Sequence, residues 1–135
     1  MQTSFPALQG RWISSTDEAD ATQKAIAELS QPPRSPWIAK RVVTLLSHYY
    51  ASEKHPDAIT GMARDWVGEL LEFPEWSIHA AARWWLSRHN EYHYRAPMPG
   101  DISERANMEM AMVRTAEIKI RQYEQYGDNP PAFLR

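Results

Sequence analysis

The sequence predicts an all-α protein, a compact bundle of about five helices with a long C-terminal helix. Three observations carry this. Apolar residues recur at spacings of three and four through most of the chain, the period of a helix with one buried face. Prolines stand where helices are expected to begin, positions where their missing N–H costs nothing. No run alternates apolar and polar residues as a half-buried strand does.

Residues 1–14 hold Phe5, Pro6, Gly10 and Trp12 without helical period and read as an extended arm. Ser15 or Thr16 is a plausible N-cap, followed by Asp17, Glu18 and Asp20 in a first turn where the helix dipole favours negative charge. The first helix runs to Leu29 on a narrow stripe of Ala21, Ala25, Ile26 and Leu29. Pro32, Pro33 and Pro36 then break the chain, and Ser35-Pro36 opens a second helix expected to reach about Lys54. Its inward side carries Ile38, Val42, Leu45, Leu46 and Tyr49.

Pro56 and Pro74 introduce two further helices in the same manner. Ile59, Met62, Ala63, Trp66 and Leu70 line the third, which is expected to reach about Glu72. Ile78, Ala81, Ala82 and Trp85 line the fourth, with Trp84 turned to another side and an end near Glu91. The core helices thus span 36–91. Tyr92 to Gly100 reads as a rigid loop, and Asp101 caps a helix expected to run unbroken from 101 to 126. Its stripe of Ile102, Ala106, Met110, Val113, Ala116, Ile120 and Tyr123 approaches a heptad seam. Part of so long a stripe is expected either to project toward a partner or to fold back over the first helix. Residues 15–126 then form a single helical domain, and 127–135 a flexible tail.

Composition narrows the function classes. The chain has no cysteine, which excludes disulfides and thiolate-ligated metals. The N-terminus lacks the basic flank and apolar run of a signal peptide, and the apolar stretches fall far short of the roughly 20 residues that span a bilayer. A cytoplasmic protein without a membrane segment is the expectation. Net charge is −2 over 135 residues, and only residues 31–60 lean basic, so direct nucleic-acid binding is not expected. Six Trp and six Tyr against three Phe exceed what a core of this size takes, so some should be partly exposed.

The histidines are the natural place to look for catalysis. His89 and His93 share the i, i+4 spacing of two metal ligands on a helix, yet Asn90 follows His89 where a zinc protease has glutamate, and the pair straddles the expected helix end. His48 and His79 lie mid-helix and read as satisfied, partly buried side chains. The pairs Glu69/Glu72 and Glu104/Glu109 read as solvated surface, and the five glycines stand singly, so no phosphate loop exists. No Ser-His-Asp elbow is present. The expectation is a protein that binds rather than catalyses, with no cofactor and no metal.

One stretch carries a resemblance. From Ile38 to Ile102 an apolar helix ends in Tyr49-Tyr50. Then come Trp66-Val67-Gly68-Glu69-Leu70-Leu71, Phe73-Pro74, Ala81-Ala82 with Trp84-Trp85-Leu86, and Pro97-Met98-Pro99-Gly100-Asp101-Ile102. This order resembles the helical N-terminal domain of phage and prophage replicative-helicase loader or inhibitor proteins. The resemblance covers about half the chain and rests on core and turn residues. It implies an accessory protein that binds a hexameric replicative helicase in the host cytoplasm and controls its loading or activity. The chain departs from that pattern by about 35 additional N-terminal residues and by a long helix where the family has a flexible, helicase-engaging tail. That role carries over only to residues 103–135 as a region.

The expected contact patch comprises Trp84, Tyr92, Tyr94, Met108 and Met112, whose aromatic and thioether side chains suit an adaptable interface. A homodimer through the C-terminal helix is a further expectation. Two other functions compete: a small phage-type inhibitor docking on another host complex, such as a defence system, and a DNA-binding regulator. The latter would use Lys40 and Arg41 of the second helix, which is too apolar for a typical recognition helix.

Overall fold

Proline and short polar side chains decide where the helices begin. The computed structural model describes residues 13, 15–50 and 56–127, with six helices among them: α1 Thr16–Leu29, α2 Ser35–Tyr50, α3 Pro56–Leu70, α4 Glu75–Leu86, α5 Pro99–Glu109 and α6 Ala111–Tyr126. No described residue is in a strand. Ser15 caps α1, its Oγ accepting the Glu18 N–H at 3.1 Å. At α5 the Asp101 carboxylate accepts the Met98 N–H at 2.8 Å and places acid in the first turn, satisfying an otherwise orphaned donor. Gly127, at φ +59, closes α6 in the left-handed region, donating its N–H to the Tyr123 carbonyl at 2.7 Å.

The chain forms two compact units, one of residues 31–110 and one joining residues 1–30 to 111–135. In the first, α2 to α5 enclose one core. Ile38, Val42, Leu45 and Leu46 come from α2; Ile59, Ala63, Trp66 and Leu70 from α3; Ile78, Ala81, Ala82 and Trp85 from α4; Ile102 and Ala106 from α5. Each large aliphatic buried there contributes about 1.5–3 kcal/mol against exposure. In the second unit α1 packs on α6, with Ile13, Ala19, Ala116 and Ile120 buried and Ile26 and Tyr123 beside them. Thr16 Oγ1 meets the Tyr123 hydroxyl at 3.2 Å, and the Gln23 amide donates to Glu124 at 3.2 Å. The α6 part of the C-terminal stripe therefore packs on the first helix.

Two expectations are corrected. The helix expected over 101–126 is two helices, which raises the count from five to six. The break lies at Met110 (φ −77, ψ −2), whose N–H is shared between the Ala106 and Asn107 carbonyls at 3.2 Å each. The apolar stripe is present, but Ile102 and Ala106 serve the core of α2 to α5, whereas Ala116 and Ile120 serve that of α1 and α6. The fourth helix stops at Leu86 rather than near Glu91, because Ser87 turns extended (ψ 158) with its N–H on the Trp84 carbonyl. The third stops at Leu70. The second is described to Tyr50, so its expected continuation to Lys54 lies outside the described residues, as do the arm of 1–14 except Ile13 and the tail beyond Gly127. Among the described residues no helix is long and apolar enough to cross a membrane.

Candidate protein-docking surface

The segment from Ser87 to Met98 is irregular backbone tied down by several hydrogen bonds of its own. Ser87 Oγ donates to the Trp84 carbonyl at 2.7 Å, tying off α4. Asn90 is buried (2% exposed); its Nδ2 donates to the Trp85 carbonyl at 2.9 Å and its Oδ1 accepts the Tyr92 N–H at 3.1 Å. Its own carbonyl accepts from the His93 N–H at 3.1 Å and from His93 Nδ1 at 2.8 Å. The Asn90 side chain thus satisfies one carbonyl at the end of α4 and one loop N–H, as a buried amide must if it is not to destabilise the fold.

Two core aromatics anchor the far side of the loop. Trp85 Nε1 donates to the Arg95 carbonyl at 2.9 Å, and the Tyr49 hydroxyl donates to the His93 carbonyl at 2.6 Å. Burial pushes the Tyr49 phenol above its usual range, so the group remains a donor at neutral pH. The Arg95 guanidinium carbon lies 5.2 Å from the Trp85 ring centroid and 5.0 Å from that of Tyr92, within cation–π range of both. A longer contact of 3.7 Å joins Arg95 to Asp101.

What this framework presents is apolar and aromatic. Tyr94 is 72% exposed, Met98 66% and Tyr92 46%, and the ring of His93 meets that of Tyr94 edge-on at 6.4 Å. The Tyr92 phenol is held above its ordinary range, first by a hydrogen bond to Glu91, and stays protonated. A loop already fixed in position loses little conformational entropy on binding, and tyrosine adds contact area with few rotatable bonds.

The other three expected contact residues are placed differently. Trp84 is half-buried: Arg105 lies over its ring at 4.4 Å, held by Glu109 at 2.9 Å. Trp37 and Trp76 are half-buried likewise. Met108 is exposed on α5, in the same unit as the loop, whereas Met112 is exposed on α6 and belongs to the other unit. Met98 and Leu71, both exposed, were not among the expected contacts. Met98 sits between Pro97, which is buried, and Pro99, the first residue of α5. A bulky thioether between two prolines at a helix start is a signal the sequence did contain.

His89 is exposed, and His93 is engaged with Asn90 as described. His48 and His79, expected to be partly buried, are exposed. Among the described residues no group of three metal-capable side chains converges. No family model, no curated protein and no solved structure matches the chain.

Proposed function

We propose that the protein is a phage-type accessory factor that docks on a replicative helicase and controls its loading or activity. Docking runs through the loop of residues 87–98, and the protein works in the host cytoplasm by binding rather than by catalysis. The observation that carries this reading is the exposure of Tyr92, Tyr94 and Met98 on a loop fixed by Asn90, Trp85 and Tyr49. Exposed aromatics on rigid backbone are characteristic anchors of protein interfaces. The partner is suggested by the resemblance to helicase loader and inhibitor proteins, and every residue carrying it falls within the single compact unit 31–110.

A stable interface of ordinary size takes about 800 Å² from each side, so the docking would draw on surface beyond the loop, with exposed Met108 of α5 a candidate. Control would be steric: a factor seated on a ring subunit changes how that subunit meets its neighbour. Sedimentation of the purified protein with a purified hexameric replicative helicase tests the reading. Co-sedimentation with wild-type protein, lost on combining Tyr92→Ala with Tyr94→Ala, is expected. Absence of a complex at micromolar concentrations rejects the helicase, and the same run reads any homodimer formed through α6.

A further inference from the structure

Helices α2 and α4 bring cationic groups together without a counter-charge. Arg41 of α2 is half-buried and directs its Nε–H to His79 Nδ1 of α4 at 3.0 Å. Arg83, exposed, stands four residues after His79 and so on the same face of α4. Helix α2 contains no acidic residue, and Lys40 adds a further exposed cation beside Arg41. The one carboxylate of α4, Glu75, is already taken: Arg34 grips it with Nε and Nη2 at 2.9 Å each, and with its backbone N–H at 2.9 Å. Three arginines of this unit (34, 95 and 105) contact carboxylates. Among the described residues Arg41 and Arg83, like Arg64 and Arg88, meet none.

We propose that Arg41, His79 and Arg83 form a binding site for a phosphate group. Two guanidinium forks and an imidazole offer more donors than the two oxygens of a carboxylate accept, and they match the several oxygens of a phosphate. Since Nδ1 of His79 accepts from Arg41, its Nε2 carries the proton and is a third donor. Like charge crowds the cluster in the direction an anion relieves. Burial and then Arg83 hold the Arg41 guanidinium below its usual range, and partial desolvation of the otherwise exposed His79 ring, then the neighbouring Arg41 and Arg83, hold His79 below its own. Free phosphate, a nucleotide and a nucleic-acid backbone share this chemistry. The site does not rest on the helicase reading.

Titration of the labelled protein with inorganic phosphate, followed through the Arg41 Nε and His79 ring resonances, tests it against sodium chloride of equal ionic strength. Saturable shifts with phosphate alone are expected. Arg83→Gln, an exposed change that leaves the core intact, should weaken saturation about tenfold, the usual effect of one charged hydrogen-bond donor; Arg88→Gln should leave it unchanged. A second titration with a nucleoside triphosphate and a third with a short single-stranded oligonucleotide assign the source by which saturates at lowest concentration. Shifts that grow linearly, match those in chloride, or persist in Arg83→Gln overturn the proposal.

Discussion

The amide of Asn90 donates to the carbonyl of Trp85 at 2.9 Å from a fully buried position at the root of the loop that carries the exposed tyrosines. The same side chain accepts the Tyr92 N–H, so it joins the end of α4 to the first aromatic of the loop proposed for docking. Replacing Asn90 by alanine leaves both backbone groups unpaired. A loss of about 2 kcal/mol or more is expected, read as a lower urea midpoint. A loss under about 0.5 kcal/mol, the range of ordinary surface changes, would show that the loop does not need this amide.

The loop should be ordered before any partner arrives. The N–H groups of Tyr92, His93 and Arg95 are each bonded at 3.1 Å, to Asn90 Oδ1, the Asn90 carbonyl and the Tyr92 carbonyl. Hydrogen exchange at these three amides in the free protein should be slowed about a hundredfold, corresponding to an opening cost of about 3 kcal/mol. Exchange at the rate of an unstructured peptide would mean that the loop orders only on binding.

The ion pair between Arg34 and Glu75 gives a pH signature. The Glu75 carboxyl is held below its ordinary 4.5, first by the side-chain hydrogen bond from Arg34. A carboxyl lowered in the folded state adds stability that is fully present above its unfolded value and is lost as pH falls through the folded one. Arg34→Gln should therefore be less stable than wild type near neutrality, with the two converging on acidification below that value. The gap is modest because the Arg34 side chain is 74% exposed. A difference that stays constant across the acid range would place its origin elsewhere.

Helix starts and buried faces were legible because they are local. Ser15, Pro36, Pro56 and Pro74 act on backbone groups within one turn, and Ile38, Val42, Leu45 and Leu46 line one face at fixed spacing. The break at Met110 was not legible, since neither glycine nor proline marks it and the stripe continues through it. Only tertiary packing assigns Ala106 to one core and Ala116 to another. Likewise, Tyr92 and Tyr94 were found as exposed aromatics, but their rigidity comes from Asn90, read in sequence only as a failed metal motif. The meeting of Arg41 with His79 joins residues 38 apart in the chain and has no local signature.

The central claim is that Tyr92 and Tyr94 anchor a protein partner from a preformed loop. The most direct measurement is the affinity of the purified protein for a purified hexameric replicative helicase, with and without Tyr92→Ala and Tyr94→Ala, alongside the urea midpoint of each protein. The account predicts a wild-type complex that the double change weakens at least about tenfold, as loss of interface anchors does, while the midpoint stays within the scatter of surface variants. A complex of undiminished affinity in the double variant would contradict it.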